Sequence, residues 1–298
     1  MQPYVLVLSD EQSECLLNYL RDHQWHKDEV PYSLYAYHNP DVKVVVYHNH
    51  KLVVQGKGVE DFVLHTLETE ITHKPLYGYD RVNHPEWFEA HAGLDESGKG
   101  DLFGPLVAAT VIADGAAVDF WLSKGLKESK AIKSDERLFK MEALVREPKG
   151  VVIETAYANM ERYNELYTQF GNLNQLLAWM HARALDSALQ QSTVQKGLLD
   201  QFVKAHLVQK FLKRNDFMLQ QRVRAEEDPV VAAASIIARA VYVRKLRDLS
   251  KEAGINLPKG CGIDAQKALK TLGDTVGKDQ LKRYAKMHFK TIDEVLKS

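Results

Sequence analysis

Asp95 and Glu96, two adjacent carboxylates, are the residues in this 298-residue sequence best suited to chemistry. They lead into a Gly-Lys-Gly turn at residues 98–100, and an apolar, β-prone run follows at 106–113. If the residues before Asp95 also form a strand, the segment is a hairpin that carries its acids at the tip. The spacing alone leaves a plainer alternative open, in which the acids belong to a solvated turn.

The chemistry that such acids support is divalent-ion binding. Mg²⁺ takes oxygen ligands and is usually held by a few carboxylates together with substrate phosphates. Two such ions stabilise both the attacking and the leaving oxygen of a phosphoryl displacement. Because neighbouring side chains on a strand point to opposite faces, we expect a break in the pleat that lets Asp95 and Glu96 serve one cluster. Gly98 and Gly100 would supply that break and bring backbone groups close to a ligand, with Lys99 as a point charge for phosphate.

Further acids occur far along the chain. Asp200 interrupts the short apolar strand predicted at 196–202, where a carboxylate is costly unless it lies at the strand end or binds a cation. A functional role for Asp200 is therefore favoured. Glu226, Glu227 and Asp228 precede Pro229, which suits the first turn of a helix. Acids there also stabilise the positive end of a helix, and this cap is the structural alternative for at least one of them.

Basic residues suggest phosphate contacts in two places. Lysines recur every three residues, at Lys124, Lys127, Lys130 and Lys133, and the segment 282–290 interleaves basic with aromatic residues. Either could follow phosphates, but a charge run is also typical of a solvated face, so both alternatives stay open. His181 flanks an apolar helical stripe, where a structural role is favoured over ligand binding.

Composition limits the classes of function. Lys and Arg total 39 and Asp and Glu total 40, a net charge of −1, so a nucleic-acid partner would have to be held by local patches. Cys15 and Cys261 form neither a disulfide framework nor a metal-type spacing, which indicates free thiols in a reducing compartment. No apolar run reaches the roughly 18 residues of a membrane span, and the N-terminus lacks a signal pattern. We therefore expect a cytoplasmic protein without a membrane partner.

The predicted elements divide the chain in two. A strand, a helix that Ser9 and Gln12 open with a capping box, three strands at hairpin spacing and a second helix form a compact β-α-β-β-β-α unit. Proline and glycine then interrupt the periodicity. We expect an N-terminal domain at 1–72, a linker at 73–88 and a larger α/β domain at 89–298.

Taken together, these stretches resemble the type 2 ribonucleases H, and within them the bacterial ribonuclease HIII branch. The resemblance spans roughly residues 89–290 and rests on several motifs in order: Asp-Glu-Ser-Gly-Lys-Gly-Asp at 95–101 with Phe-Gly-Pro at 103–105, Lys-Glu-Ser-Lys at 127–130, Asp200, Ala-Ala-Ala-Ser-Ile-Ile-Ala-Arg at 232–239 and Lys-Met-His-Phe at 286–289. Lys99 stands between the glycines where ribonuclease HII enzymes usually carry arginine, which is similar to the HIII form.

The resemblance implies an α/β fold of RNase H type, with a mixed central sheet flanked by helices and carboxylates at strand ends. It also implies that the N-terminal unit is a small α+β domain similar to half of a TATA-binding protein. Such a domain would hold a hybrid duplex through its strand face, here with the alternate tyrosines Tyr35 and Tyr37.

The metal ligands follow from the resemblance position by position. It implies that Asp95 bridges two divalent ions, Mg²⁺ or Mn²⁺, with Glu96 and Asp200 as further ligands. Glu226 would complete the set, although the adjacent Glu227 leaves the identity of the fourth acid open.

The substrate contacts are implied in the same way. Gly98, Lys99 and Gly100 match a loop that contacts the ribose 2′-hydroxyls flanking the cut, which is how RNA is told from DNA. Ser129 and Lys130 match residues that contact phosphate.

These residues predict a monomeric endoribonuclease that hydrolyses the RNA strand of RNA/DNA hybrids with two divalent ions, leaving a 3′-hydroxyl and a 5′-phosphate. Two alternatives stay open. A ribonuclease HII-like junction enzyme would cut at a single ribonucleotide in DNA, and a comparison of the two substrates separates that case. A non-catalytic hybrid-binding protein would depend on its N-terminal domain alone and would show no cleavage with Mg²⁺ or Mn²⁺.

Overall fold

The structure is a computed structural model that describes residues 3–74, 78–126, 132, 134–202 and 207–297. The chain divides into two compact units, Met1–Pro85 and Glu86–Ser298, which are called the N-terminal and the C-terminal unit below. Within the described ranges, no helix combines the length and the apolar character needed to cross a bilayer.

The N-terminal unit is built on one sheet. Its strands are β1 (Tyr4–Val7), β2 (His26–Asp28), β3 (Ser33–His38), β4 (Lys43–Tyr47) and β5 (Lys51–Gln55). They lie antiparallel to their neighbours in the order β1-β5-β4-β3-β2. Its helices are α1 (Asp10–Asp22), α2 (Val59–Phe62), which continues in π-type turns over Val63–Thr72, and α3 (Asp80–Asn83). The predicted capping box opens α1, since the Ser9 hydroxyl accepts from the Gln12 N–H.

The edge strand β2 is an element that the sequence did not predict. Its three residues, His-Lys-Asp, offer no apolar alternation, and they form a strand only because β3 provides a pairing edge. Tyr35 and Tyr37 correct a second expectation. Both are buried in the core of this unit, and the Tyr35 hydroxyl donates to the Ser13 carbonyl of α1 at 2.7 Å. The prediction that these tyrosines face a duplex is wrong, because their side of the sheet is the side that the helices cover.

The C-terminal unit is built on a mixed sheet. Its strands are β6 (His91–Ser97), β7 (Val107–Ala113), β8 (Val152–Tyr157), β9 (Lys196–Asp200) and β10 (Met218–Arg222). In the order β10-β9-β6-β7-β8, the first three strands run parallel, and β7 lies antiparallel to both β6 and β8. Strand β10 was not predicted, because Met-Leu-Gln-Gln-Arg carries too few apolar residues to stand out.

Helices cover both faces of this sheet. They are α4 (Gly115–Ser123), α5 (Asp135–Arg146), α6 (Met160–Phe170), α7 (Leu173–Leu189), α8 (Pro229–Ala253), α9 (Ile263–Val276) and α10 (Lys290–Lys297), with short 3₁₀ turns at Pro85–Phe88, Val208–Phe211, Ala225–Glu227 and Lys278–Arg283. The odd-numbered residues of β7, such as Val107 and Ala109, belong to the same core as α8. The even-numbered Ala108 and Ile112 belong to cores that contain α7. This is the mixed sheet flanked by helices that the resemblance implies.

Gly93 lets α8 lie directly on β6. A Cβ at this position would lie 2.4 Å from the Val230 carbonyl carbon and 2.5 Å from the Val231 nitrogen, both backbone atoms in the first turn of α8. Real side chains do not approach a backbone so closely, so any side chain here would push the start of α8 away from the strand.

We expect Gly93→Ala to destabilise the C-terminal unit by ~3 kcal/mol, because backbone atoms cannot move aside as a flexible side chain can. Urea unfolding followed by tryptophan fluorescence measures this, since Trp87, Trp121 and Trp179 all lie in that unit. Gly262→Ala is the matched control, because a Cβ at Gly262 meets nothing within 4 Å. Equal free energies of unfolding for the two variants would contradict the close approach.

Candidate active site

The parallel pairing of β6 with β9 brings Asp95 and Asp200 to the same level of the sheet. Leu94 lies opposite Leu199 in this pairing, and the two acids are the next residue on each strand. Side chains alternate along a strand, so Asp95 and Asp200 share one face while Leu94 and Leu199 share the other. Two carboxylates from distant parts of the chain therefore meet at neighbouring strand ends.

Glu96 lies on the opposite face from Asp95. Strand β6 is regular through Ser97, with Asp95 paired to Ala109 and Glu96 paired to Ala108. The contacts agree with the register, since Ser235 of α8 hydrogen-bonds to Asp95 and His181 of α7 contacts Glu96. The expected break in the pleat and the expected position of the acids at a hairpin tip are both wrong. The turn begins only at Gly98, after both acids have already taken their places in the strand.

His181 holds Glu96 on the α7 side of the sheet. Its Nε2 lies 3.1 Å from Glu96 Oε2, its side chain is fully buried, and its ring stacks on Phe202 at 5.6 Å between centroids. The sequence indicated a structural histidine on a helix flank. The structure adds the contact between His181 and Glu96, a candidate metal ligand. The sequence could not predict this contact, because it depends on how closely α7 packs against β6.

Asp95 lies in an unfavourable place for a negative charge. Burial and the neighbouring charge of Glu96, with a smaller contribution from Asp200, raise the pKa of Asp95 to about 7, against the hydrogen bonds from Ser235 and from the Glu96 N–H. The Glu96 N–H donates to Asp95 Oδ1 at 2.7 Å. A cation in this place would favour the charged form of Asp95 and so offset the burial and the repulsion that raise this pKa.

The two candidates for the fourth acid lie in the short turn before α8. Asp200 Oδ1 accepts from the Ala225 N–H at 3.0 Å, which fixes the turn Ala225–Glu227 against the end of β9. Glu226 is half-buried next to this contact, whereas Glu227 is exposed. Of the two residues that the sequence left open, Glu226 is therefore the better placed to join Asp200.

Asp228 is the acid that caps α8. Its Oδ1 accepts from the Val230 N–H at 2.8 Å and from the Val231 N–H at 3.4 Å, and His91 Nε2 lies 3.2 Å from the same oxygen. His91 and Asp228 are both buried. The cap that the sequence offered as a structural alternative is thus present and belongs to Asp228, and it ties the start of α8 to the start of β6.

The Gly-Lys-Gly loop follows Glu96 directly. Gly98 has a φ of +90°, and a Cβ there would lie 2.2 Å from the Pro105 carbonyl oxygen, so the turn requires glycine. Gly100 is exposed, with open space where a Cβ would be, which leaves its backbone accessible to a ligand. Lys99 Nζ lies 3.8 Å from Glu96 Oε1 and 5.3 Å from the centre of the Phe202 ring.

Ser129 and Lys130, the predicted phosphate contacts, lie outside the described residues, as do Lys127 and Lys133. Near them the structure describes Ile132, whose carbonyl accepts from Arg239 Nη2 at 2.8 Å. Arg239 ends the Ala-Ser-Ile-Ile-Ala-Arg run on α8. This contact connects the lysine-rich segment to the helix that carries Ser235.

The donor set of this site suits a hard divalent ion, because all four candidate ligands are carboxylates. The raised pKa of Asp95 is the structural sign of negative charge that a cation would balance. Among the described residues, no group of three or more His, Cys, Asp or Glu side chains is arranged closely enough to hold a metal ion. Each of Asp95, Glu96 and Asp200 instead contacts a protein donor. Glu96 would exchange its contact with His181 to serve an ion on the other face.

Comparisons with known proteins agree over the full chain. Residues 92–292 match a family model described as Ribonuclease HII. A relative named Ribonuclease HIII from Protochlamydia amoebophila (strain UWE25) is 36% identical, over 99% of this chain and 97% of its own length. Another of that name from Chlamydia pneumoniae is 34% identical, over 98% of each chain. The solved structure described as "Crystal structure of Bst-RNase HIII in complex with Mn2+" aligns with a TM-score of 0.68 at 26% identity, over 99% of this chain and 98% of that chain.

The contact between His91 and Asp228 predicts a pH-dependent stability. Burial lowers the pKa of His91, but the hydrogen bond to Asp228, the negative charge of Asp228 and the contact with the Glu89 carbonyl together outweigh that effect, so the pKa is raised overall. Its contribution to stability is therefore fully present below the unfolded value of about 6.5 and is lost as the pH rises through the folded value. The expected size of this contribution to the free energy of unfolding is roughly 1.5–3 kcal/mol, as for other hydrogen bonds to charged groups.

We expect the difference in unfolding free energy between the unmodified protein and His91→Gln to be larger at pH 6 than at pH 9, because glutamine does not titrate. Urea unfolding of both proteins across this range measures the difference. His65→Gln, at an exposed histidine of the N-terminal unit, is the control. A difference that stays constant with pH would show that His91 is not protonated in the folded protein.

Proposed function

Because this chain belongs to the ribonuclease HIII family, a branch of the type 2 ribonucleases H, we propose that it hydrolyses its substrate with divalent ions held by Asp95, Glu96, Asp200 and Glu226. The prediction of an enzyme, a ribonuclease H that acts on RNA/DNA hybrids, is confirmed by this membership. The same finding sets aside the non-catalytic alternative.

One observation supports the ligand assignment above all others. Asp95 and Asp200 arrive from separate strands at one end of the sheet, and burial and neighbouring negative charge raise the pKa of Asp95 to about 7. A protein that crowds carboxylates in this way stores repulsion that a divalent cation relieves. Glu226 is the proposed fourth ligand because it is half-buried beside Ala225, the residue whose N–H contacts Asp200.

The proposed cofactor is a pair of Mg²⁺ or Mn²⁺ ions. The solved Bst-RNase HIII structure is described as a complex with Mn²⁺, which supports a divalent ion without choosing between the two metals or fixing their number. Such ions, when bound, lower the pKa of a water molecule and neutralise charge on phosphate oxygens. The products expected from hydrolysis of this kind are a 3′-hydroxyl and a 5′-phosphate.

The residues of the chain have distinct proposed roles. Asp95 follows Leu94 on β6 as Asp200 follows Leu199 on β9, so it is the acid proposed to help hold both ions. His181 holds Glu96 on the α7 side of the sheet, and Glu96 would exchange this contact for an ion. Gly98, Lys99 and Gly100 would meet the ribose 2′-hydroxyls near the cut, with the open backbone at Gly100 admitting close approach.

Ser129 and Lys130 keep their predicted role as phosphate contacts. The side-chain hydroxyl and ammonium are suitable donors for phosphate oxygens. Their support remains the resemblance of the Lys-Glu-Ser-Lys motif alone.

The N-terminal unit is proposed to bind the hybrid through its open strand face. Val53 and Lys51 of β5 lie on the side that the helices leave uncovered, since Leu52 and Val54 are fully buried. A concave surface on this unit is lined by Tyr32, Tyr47, His48, Asn49, Lys51 and Val53. An ammonium group beside exposed aromatic rings suits a nucleic-acid backbone.

We also propose a cytoplasmic location, because Cys15 and Cys261 are both exposed free thiols that suit a reducing compartment. The monomeric state stays a prediction.

We expect Asp95→Asn to lower the rate of hybrid cleavage roughly 10³-fold or more, while the protein stays folded and still binds the hybrid. Folding should persist because the substitution removes a buried charge. Cleavage of an end-labelled hybrid with Mg²⁺ or Mn²⁺, alongside binding by fluorescence anisotropy, measures both effects. Asp248→Asn, at an exposed acid of α8, is the matched control and should cleave normally.

Normal turnover by Asp95→Asn would refute the ligand assignment. The same assay with a duplex that contains one ribonucleotide tests the junction-enzyme alternative. We expect the uniform hybrid to be cut faster than the duplex with one ribonucleotide. The opposite preference would support the junction enzyme instead.

Removal of residues 1–72 should weaken hybrid binding about tenfold or more and change the cleavage rate at saturating substrate far less, because that segment is proposed to bind rather than react. Anisotropy and single-turnover cleavage measure the two effects. In the full chain, Lys51→Ala should weaken binding, whereas Lys57→Ala, at an exposed lysine outside the strands, should not. Equal affinities of the full and shortened chains would disprove the role of this unit.

A further inference from the structure

Lys286 lies inside the C-terminal unit rather than on its surface. The sequence placed it in a basic segment suited to phosphate contact, but its residue is fully buried. Its Nζ donates to the Asp101 carbonyl at 2.8 Å and to the Gly104 carbonyl at 2.5 Å, and lies 5.5 Å from the centre of the Tyr163 ring. The phosphate role is therefore wrong for this residue.

Burying an ammonium group costs folding free energy, so a lysine in this position needs an explanation. Burial lowers the pKa of Lys286 to about 7, and the negative charge of Asp101 offsets only part of that effect. No ion pair among the described residues includes Lys286, so carbonyl dipoles, a ring and the more distant charge of Asp101 balance its charge. Apolar residues often replace buried charges without loss of stability, so stability alone does not explain the lysine.

The partners of Lys286 form one continuous stretch of backbone. The carbonyls of residues 101–104 all accept hydrogen bonds: Lys286 Nζ donates to Asp101 and Gly104, the Lys286 N–H donates to Leu102 at 2.9 Å, and the Tyr242 hydroxyl donates to Phe103 at 3.2 Å. Three of these four bonds come from a single residue. This stretch follows Gly100 without a break.

Other contacts hold Lys286 itself in place. Asn164 of α6 donates from Nδ2 to the Lys282 and Ala285 carbonyls at 2.9 and 3.0 Å, and its Oδ1 accepts from the Met287 N–H at 2.9 Å. Ala285 also pairs with Phe103 as an isolated bridge. These contacts fix the backbone on both sides of Lys286, and so they fix the point from which its side chain extends to the loop.

We propose that Lys286 is a positioning residue that sets the Gly98–Gly100 loop for recognition of the ribose 2′-hydroxyl. By holding the carbonyls just after Gly100, Lys286 fixes where the exposed backbone of the loop stands relative to Asp95 and Glu96. This inference rests on the proposed role of the loop in substrate contact. Its effect should fall on the discrimination of RNA from DNA rather than on the overall stability of the unit.

The test compares Lys286→Met with Lys270→Met, an equal change at an exposed lysine of α9. The wild-type enzyme first maps the main cut in a uniform hybrid. The probe is then the same hybrid with one 2′-deoxynucleotide at that cut. For each protein, kcat and KM are measured on both substrates, and the melting temperature reports the fold.

We expect Lys286→Met to raise KM for the uniform hybrid and to reduce the ratio of kcat/KM between the two substrates about tenfold, the effect of one or two hydrogen bonds. Lys270→Met should leave both unchanged. A folded Lys286→Met with an unchanged ratio overturns the inference. If Lys286→Met does not fold, Tyr242→Phe decides, because it removes the hydroxyl that donates to the Phe103 carbonyl and that also hydrogen-bonds to Asp101. Its ratio should fall by a smaller factor, and an unchanged ratio overturns the inference. A wild-type enzyme that fails to cut the hybrid overturns the proposed function instead.

Discussion

The burial of Asp95 among other carboxylates is the constraint to which the rest of the C-terminal unit is fitted. Parallel pairing places Asp95 beside Asp200, and burial denies Asp95 the water that would screen its charge. Each acid is held by a donor from a different element: Ser235 from α8, His181 from α7 and the Ala225 N–H from the turn before α8. The helices therefore do more than cover the sheet, because they hold the acids in place.

Helix α8 takes the largest part in this arrangement, and its placement depends on the first residues of β6. Gly93 removes the side chain that would keep α8 away, and His91 contacts the Asp228 cap of that helix. Ser235 and the turn that holds Glu226 are then fixed relative to Asp95. Small residues on β6 and α8 thus determine the distance between this strand and this helix, on which the arrangement of the acids around Asp95 depends.

The sequence predicted the parts of this site whose signal is local. The motifs at 95–101 and 232–239, the acid at 200 in an apolar strand and the proline that opens α8 were enough to propose the family, the fold class and the candidate acids. Features that depend on tertiary distance were missed: the opposite faces of Asp95 and Glu96, the contact between His181 and Glu96, and the burial of Lys286. Tyr35 and Tyr37 were misjudged because alternation along a strand identifies two faces without saying which one the helices cover.

Anomalous diffraction from crystals of the full chain grown with Mn²⁺ tests the proposed metal centre most directly. Two peaks are expected, with Asp95 in contact with both, Asp200 and Glu226 as ligands on the α8 side, and Glu96 turned away from His181. Mn²⁺ bound away from Asp95 and Asp200, or no peak near them at saturating Mn²⁺, would contradict the proposal that these acids form the catalytic site.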